Sequence, residues 1–385
     1  MFVEKFNFFL AHRSLSYFDK YDLSDLTIII PTYERSLYLL RQIAYLSKWK
    51  TTVLIADGSK NPLHNDLISI IEKLPGIHYK HNPIHYPQRI FEASQKIKTP
   101  FAMCLAEDDF FMPSGLVAAI AKLEKDSNSI VCMGQALGFD KYRDSNYLFH
   151  YGTNLKNYSV VGNLPQDRIQ IGLNNYRSAT PYAVFRTNAF LKIWEQRENI
   201  SSLEAVEYEH AIRTYLEGNL VTVPEIYWLR SFECPPVASS KDGTRNDSYN
   251  VWKNSARFKD EYMVFRKRIT SLIKERAGIS YLEAEKVFQC VDEAIVSGSH
   301  ASLVDKTILS IISEMFSWLT KKNPFGLISG IKQNNVIQRI VLRKRYCSTK
   351  KFAVGKSTYK RGFLEDLDVT MEFLDLFSLS GYEAD

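Results

Sequence analysis

The chain has 385 residues, of which 45% are hydrophobic and 24% are charged. This length fits two or three domains, and the composition excludes a collagen-like, low-complexity or disulfide-rich protein. The five cysteines are odd in number and widely spaced, which indicates a reducing compartment. The first residues lack the pattern of a signal peptide, and no apolar run reaches about 18 residues, so we expect a cytoplasmic protein without a transmembrane helix.

The positive net charge of +6 comes from one part of the sequence, the basic segment 315–364. This segment contains twelve Lys and Arg and no acid, whereas the tail after Leu364 contains seven acids and neither Lys nor Arg. A basic segment of this kind binds the phosphates of an anionic membrane surface or pairs with an acidic segment of its own chain. Both interpretations stay open, and we expect no nucleic-acid partner.

Strands and helices alternate in the first 125 residues, after a short helical lead-in at 1–25. Continuous apolar, often β-branched runs predict buried strands at 26–30, 52–56, 78–80 and 101–105. Apolar residues at helical spacing predict helices at 34–49, 65–74, 90–97 and 113–125. The alternation indicates βαβ units around a mainly parallel sheet.

Polar clusters follow three of the predicted strands. They are PTYER at 31–35, Asp57 with the Gly-Ser pair behind it, and three adjacent acids at 107–109. Because ligands of open α/β sheets bind beyond the carboxyl ends of the strands, we expect the three clusters to form one site. Adjacent carboxylates repel each other unless a cation is present, and Mg²⁺ or Mn²⁺ commonly bridges carboxylates to a diphosphate. A solvated acidic loop that caps the next helix is the alternative.

The segments TIIIPTYERSLYLL, VLIADGS and TPFAMCLAEDDFFMPSGL, in this order, resemble the nucleotide-sugar half of family 2 glycosyltransferases. The resemblance covers residues 25–125 well and 175–230 loosely. It implies the GT-A fold, a Rossmann-like α/β architecture with a mixed, mainly parallel sheet, over residues 26–235. A loop at 233–250, rich in Ser, Pro, Asn, Asp and Gly, predicts a domain boundary, and a mostly helical C-terminal domain is expected at 236–385.

The resemblance also implies roles for individual residues in a site for the nucleotide sugar. It implies that Glu107 contacts the ribose, where the family has Asp, and that Asp109 ligates Mn²⁺ or Mg²⁺ on the diphosphate. Asp57 would accept a hydrogen bond from the base, often uracil. The other residues predicted to bind the nucleotide sugar are Pro31, Thr32, Tyr33, Arg35, Arg89 and Asp108.

A general base is expected in VEYEHAIRTYLEGN, where the family has acids before an Arg on a helix. By resemblance Glu207 is the base, and Glu209 is the second candidate, with Arg213 as the marker. Both positions carry Glu where the family has Asp, and a helix start with favourable acids is the structural alternative. Arg186 is a weak candidate for acceptor binding, and a structural ion pair is an equal alternative.

Together these features predict an inverting, metal-dependent glycosyltransferase that uses a nucleoside-diphosphate sugar, with UDP favoured. The expected acceptor is a glycan or glycolipid in bacterial surface polysaccharide synthesis at the inner face of the cell membrane. One alternative is a non-catalytic protein of the same shape that binds nucleotides or glycans. Another is a nucleotidyltransferase, which the lack of Gly in PTYERSLYLL disfavours.

Overall fold

The computed structural model describes residues 2–142, 145–150, 155, 157–196, 199–233, 248–297 and 361–377. The strands are β1 (Asp22–Thr32), β2 (Lys50–Asp57), β3 (Ile77–His81), β4 (Phe101–Cys104), β5 (Phe110–Phe111), β6 (Ser129–Tyr142), β7 (Ser145–His150), β8 (Val184–Arg186) and β9 (Asn219–Ser231). The helices up to residue 217 are α1 (Phe2–Leu10), α2 (Ser36–Leu46), α3 (Asn65–Ile71), α4 (Tyr86–Ser94), α5 (Pro113–Lys125), α6 (Pro165–Asn174), α7 (Thr187–Ile193) and α8 (Leu203–Glu217). The later helices are α9 (Tyr249–Asn254), α10 (Lys259–Ala277), α11 (281–297) and α12 (Arg361–Leu376).

The described strands form one mixed sheet in the order β3-β2-β1-β4-β8-β6-β9-β5, with β7 paired to β6. The strands β3, β2, β1 and β4 are parallel to one another, as the alternating sequence pattern predicts. Beyond β4 most pairs are antiparallel, although β6 and β9 run in parallel. The predicted α/β architecture is confirmed, and its second half is more antiparallel than the sequence suggested.

Strand β1 continues through Pro31, where the sequence predicted its end. Pro31 pairs with Ala56 of β2, whereas the pairing with β4 stops at Ile29 and Cys104. Beyond Ile29 the strand has a neighbour on one side only, so the missing N–H of Pro31 costs no ladder hydrogen bond. The extension brings Thr32 to the carboxyl end of the sheet.

The C-terminal region is helical where it is described. Helices α9, α10 and α11 pack through aromatic side chains, with Phe265 between Trp252 and Phe288 at ring distances of 5.6 and 6.3 Å. Tyr249 of α9 contacts Tyr208 of α8 at 5.7 Å and so joins this region to the sheet domain. The predicted boundary at 235 falls in 234–247, outside the described residues, and stays a prediction.

Helix α12, which contains the start of the acidic tail, packs on the N-terminal lead-in. Asp366 accepts hydrogen bonds from Tyr21 Oη at 2.6 Å and from the backbone N–H of Ser114 at 2.9 Å. Glu365 accepts a hydrogen bond from Tyr17 Oη at 2.9 Å. Pairing of the tail with the basic segment stays a prediction, because most of 315–364 lies outside the described residues. None of the helices in the described ranges has the length and apolar character that crossing a membrane requires.

Candidate active site

The carboxyl ends of β1, β2 and β4 bring the three polar clusters to one rim of the sheet. Thr32 of β1 lies opposite Asp57 of β2 in the parallel register. The chain beyond β4 stays beside β1, because the backbone N–H of Leu105 donates to the carbonyl of Ile29 at 2.9 Å. The three acids of residues 107–109, which we call the acidic motif, follow directly. The clusters therefore lie together, as expected for a ligand site of such a sheet.

Polar contacts join the loops that follow these strands. Arg35 Nη1 lies 3.0 Å from Asp108 Oδ2 and 3.6 Å from Glu107 Oε1, so the loop after β1 contacts the acidic motif. Glu34 adopts the left-handed conformation with φ 52°, and its backbone N–H donates to Ser59 Oγ at 2.9 Å. Direct polar contacts thus join the loops after β1, β2 and β4.

Asp57 is held in a fixed orientation at this rim. Its side chain is buried, Oδ1 accepts the backbone N–H of Ser59 at 2.9 Å, and Oδ2 accepts Tyr79 Oη at 2.5 Å. Burial and the hydrogen bond to Asp57 raise the pKa of Tyr79, so the phenol remains the donor. Ser59 and Tyr79 therefore fix the orientation of the carboxylate that the resemblance assigns to the nucleotide base.

Asp109 connects the acidic motif to β9. Its Oδ2 accepts Trp228 Nε1 at 2.9 Å, and its Oδ1 accepts the backbone N–H of Ser231 at 2.8 Å. Only 4% of the residue is exposed. Burial, with the neighbouring charge of Asp108, raises the pKa of Asp109, and the two donors oppose that rise.

Glu207 lies one turn into α8, whose N-cap is Ser202; the Ser202 hydroxyl accepts the backbone N–H of Ala205 at 3.2 Å. The Glu207 side chain is solvent-accessible, yet enough protein surrounds it that desolvation raises the pKa of its carboxyl to about 7. The positive charge of Arg230 opposes this rise. An accessible but poorly hydrated carboxyl of this kind suits a general base near neutral pH.

Tyr182 packs beside the acidic motif and feels the charge of Glu207. Its ring contacts that of Trp228 at a centroid distance of 4.9 Å, and Trp228 in turn holds Asp109. Burial raises the pKa of Tyr182, and the negative charges of Asp109 and Glu207 add to the effect. Both acids therefore act electrostatically on the same phenol.

The family model described as glycosyl transferase family 2 matches residues 27–194, the part of the chain that carries the acidic motif. This part of the chain is a family 2 glycosyltransferase domain. No curated protein matches the sequence.

Solved structures similar to this chain include TarS of S. aureus. The crystal structure of TarS residues 1–349 has a TM-score of 0.47 at 12% identity and covers 72% of this chain and 73% of its own. The complex of that fragment with UDP-GlcNAc has a TM-score of 0.47 at 13% identity and covers 68% and 70%. The complex with UDP has a TM-score of 0.43 at 15% identity and covers 68% and 69%. The mixed sheet with its helical C-terminal region is the GT-A architecture expected from the sequence.

Glu209, the second candidate base, is a structural residue of the glycosyltransferase. It is fully buried, with Oε1 accepting Arg213 Nε at 2.9 Å and Oε2 accepting Arg268 Nη2 at 2.5 Å. The second contact joins α8 to α10. Because both oxygens are held by guanidinium groups away from solvent, this geometry argues against proton transfer from an acceptor.

Arg89, predicted to contact the diphosphate, donates hydrogen bonds to backbone carbonyls. Its Nη1 donates to the carbonyls of Thr32 at 2.6 Å and Ala56 at 3.0 Å, where β1 and β2 end. A Cβ at Gly58 would lie 2.0 Å from this nitrogen, so glycine is needed for the close approach. Arg89 is only 7% exposed, and these contacts favour a structural role over the predicted diphosphate contact, which stays a prediction.

Arg186 lies at the opposite rim of the sheet, so the weak assignment to the acceptor is also corrected. It pairs with Phe101, the first residue of β4, whereas the acidic motif follows the end of that strand. Its guanidinium donates to the carbonyls of Leu123 at 2.5 Å and Ser129 at 3.0 Å. A cation that binds carbonyls at the end of α5 complements the helix dipole, so Arg186 stabilises the fold.

The acidic motif offers carboxylates to a divalent cation, and the assignment of Asp109 as its ligand stays a prediction. Among the described residues no cluster of three or more His, Cys, Asp or Glu side chains forms a complete metal site. Mg²⁺ is commonly held by one or two carboxylates, with substrate phosphates as further ligands. Glu107 Oε1 is buried without a hydrogen-bond partner in the described part of the chain, and the Asp108 side chain is 15% exposed. Protein donors hold both oxygens of Asp109 and Arg35 holds one oxygen of Asp108, so the more exposed Asp108 is a second candidate ligand beside Asp109.

Sequence reasoning missed Trp228 and Arg230, which lie on β9 beside the acidic motif. Residues two apart on a strand point to the same face, so the order Trp-Leu-Arg in β9 could have indicated a shared face. Their proximity to Asp109 depends on the fold, because 119 residues separate Trp228 from Asp109 along the chain.

Proposed function

We propose that this protein transfers a sugar from a nucleoside-diphosphate sugar, with UDP favoured, to a hydroxyl group of a glycan or lipid-linked acceptor. The observation that carries the proposal is that Asp109 of the acidic motif and Glu207 both act electrostatically on Tyr182, in a chain whose residues 27–194 match the family 2 glycosyltransferase model. Glu207 would then be the carboxylate that accepts a proton, and the acidic motif would supply the carboxylates for a metal-bound diphosphate. Transfer needs both.

Glu207 is the proposed general base of an inverting transfer. It would take the proton of the acceptor hydroxyl as the acceptor oxygen forms a bond to the anomeric carbon and the bond to the diphosphate breaks. Its pKa of about 7 supports this role, because such a carboxylate is both ionised and basic enough near neutral pH. Attack on the face opposite the departing diphosphate inverts the configuration at that carbon.

The acidic motif is the proposed site of the diphosphate and of Mn²⁺ or Mg²⁺. Asp108 would hold the cation, with Glu107 beside it and Asp109 fixing the motif to β9. When bound, the divalent cation offsets the negative charge that grows on the departing diphosphate. Asp57, oriented by Ser59 and Tyr79, would accept a hydrogen bond from the base of the nucleotide.

Action on an acceptor at the inner face of a bacterial membrane, in surface polysaccharide synthesis, is part of the proposal. Its support is the excess of Lys and Arg in the basic segment 315–364. Binding of the full-length protein to anionic vesicles should fall as salt concentration rises, because attraction between the segment and the headgroups is screened. Vesicle sedimentation that is absent, or insensitive to salt, would remove the membrane from the proposal.

A thermal-shift panel tests the proposed substrate class. Nucleoside mono- and diphosphates and nucleotide sugars are added with and without Mn²⁺, and a ligand that binds the native state raises the melting temperature. We expect nucleoside diphosphates and their sugars to stabilise the protein in the presence of Mn²⁺. Asp108→Asn should lose the Mn²⁺-dependent part of the shift. Glu124→Gln, at an exposed position of α5, is the matched control and should keep it.

The alternatives give different results in the same experiment. A non-catalytic binding protein would show the shift but no release of nucleoside diphosphate from any nucleotide sugar. A nucleotidyltransferase would prefer nucleoside triphosphates. If no nucleotide shifts the melting temperature with Mn²⁺, the proposed function is wrong.

A further inference from the structure

Arg230 lies on the face of β9 that borders the acidic motif. It is two residues from Trp228, so both side chains leave the strand on the same side. The Trp228 indole donates to Asp109, and the Arg230 guanidinium carbon lies 5.9 Å from the centre of the Trp228 ring. A second ring, Phe232, lies 5.6 Å from the same carbon. The guanidinium is therefore placed on the site face by aromatic contacts on both sides.

The electrostatic position of Arg230 agrees with this geometry. Its positive charge lowers the pKa of Asp109 and of Glu207, against the upward effect of burial on each. It also opposes the rise in the pKa of Tyr182. The charge of Arg230 thus acts on both Asp109 and Glu207, the acids proposed to flank the diphosphate and the acceptor.

Other arginines near the rim are committed to the fold. Arg41 is fully buried in a two-bond pair with Glu233, at 2.6 and 3.2 Å. Arg89 is held by the carbonyls of the first two strands. Arg35 balances Glu107 and Asp108, the pair proposed to face the cation. Arg230 is a partly exposed arginine on the face of β9 that borders the acidic motif.

We propose that Arg230 binds the diphosphate of the nucleotide sugar and takes up the negative charge that develops on it as the bond to the sugar breaks. This inference rests on the proposed function, because it assigns a residue to the diphosphate of that substrate. A guanidinium offers several N–H donors in a plane and binds phosphate oxygens through two parallel hydrogen bonds. Placed before the reaction, such a charge stabilises the transition state more than the ground state.

Calorimetric titration of the full-length protein with UDP, UMP and uridine, each with Mn²⁺, tests the inference. Arg230→Ala should weaken UDP binding by about 10- to 100-fold, as expected for loss of charge-assisted hydrogen bonds, and leave uridine binding unchanged. Arg230→Lys should recover part of the UDP affinity, because it keeps the charge but loses the planar donors. Arg257→Ala, at an exposed position beyond α9, is the matched control.

The rate of nucleoside-diphosphate release gives a second reading that does not depend on the affinity for UDP. If Arg230 stabilises developing charge, Arg230→Lys lowers kcat more than it raises KM for the sugar donor. Equal UDP affinity in wild type and Arg230→Ala, with the variant folded, overturns this inference and leaves the proposed function intact. A wild-type protein that binds no nucleoside diphosphate overturns both.

Discussion

Trp228 donates its indole N–H to Asp109 across 2.9 Å, and this bond fastens the acidic motif to β9. The backbone N–H of Ser231 supplies a second donor to the same carboxylate. Two acids of the motif thus differ in their exposure and contacts. Asp109 is a buried anchor, and the more accessible Asp108 is the residue that we propose to face a ligand.

Substitution at these two acids should separate stability from activity. Asp109→Ala leaves the donors of Trp228 and Ser231 buried without an acceptor, which costs about 1–3 kcal/mol for each. We expect a lower free energy of unfolding in urea. Asp108→Ala should keep the stability of the wild type and lose Mn²⁺-dependent sugar transfer. If Asp109→Ala is as stable as the wild type and only the metal dependence is lost, Asp109 is the ligand after all.

Glu209→Gln should reduce stability rather than chemistry. The change removes a buried negative charge and leaves Arg213 and Arg268 without it, and breaking a buried ion pair from one side costs about 3–5 kcal/mol. The folded fraction should keep the wild-type pH dependence of transfer. Urea unfolding and kcat measured on the same samples check this. A stable variant with a large loss of kcat would return Glu209 to the candidates for the base.

Activity and stability should respond to pH in opposite directions. Desolvation raises the pKa of both the accessible Glu207 and the buried Glu107 to about 7 in the folded protein, against an ordinary value near 4.5. The folded state therefore holds these protons more strongly than the unfolded state. The free energy of unfolding should fall as pH rises from about 4.5 to 7 and then level off.

The rate of sugar transfer should instead rise across pH 7, since Glu207 must lose its proton to act as a base. The pH dependence of kcat/KM gives the midpoint of this rise. Because Glu107 has a similar pKa, Glu107→Gln is the control, and the rise should persist in that variant. A midpoint near 4.5, or a rise that disappears only in Glu107→Gln, would contradict the assignment to Glu207.

Arg186→Ala should destabilise the protein without changing the affinity for any acceptor. The guanidinium binds the carbonyl of Leu123 in the last turn of α5 and that of Ser129 at the start of β6, and its loss leaves them without those donors. We expect a loss of about 1–3 kcal/mol in the free energy of unfolding. Arg257→Ala, at an exposed site, should change it little. A higher KM for acceptor with unaltered stability would restore the acceptor role.

Asp366→Ala should loosen helix α12. The carboxylate is fully buried between Tyr21 and the backbone N–H of Ser114, so its loss leaves two donors near the N-terminus of α5 unpaired. Limited proteolysis should cut the variant before α12 sooner than it cuts the wild type. Glu372→Ala, on an exposed position of the same helix, is the control. Equal cutting of all three proteins would show that Asp366 does not anchor the helix.

The parallel half of the sheet could be read from the sequence because its strands are continuous apolar runs. Ile28 to Ile30 are fully buried, and the polar residues behind such strands fall at the rim by topology alone. The position of the acidic motif followed from the same argument.

The roles of individual polar residues depended on long-range partners that periodicity does not reveal. Arg89 and Arg186 are arginines near predicted strand ends, and only the fold shows that backbone carbonyls occupy them. Glu209 and Glu207 are two residues apart in one helix. Glu209 is buried and paired with Arg268 of α10, whereas Glu207 remains accessible to a ligand.

Release of nucleoside diphosphate from a nucleotide sugar, compared between wild type and Glu207→Gln, tests the central claim most directly. The account predicts that both proteins bind the sugar donor with Mn²⁺ and that the variant is slower by about 10²- to 10⁴-fold with acceptor present. Turnover by Glu207→Gln at the wild-type rate would contradict it.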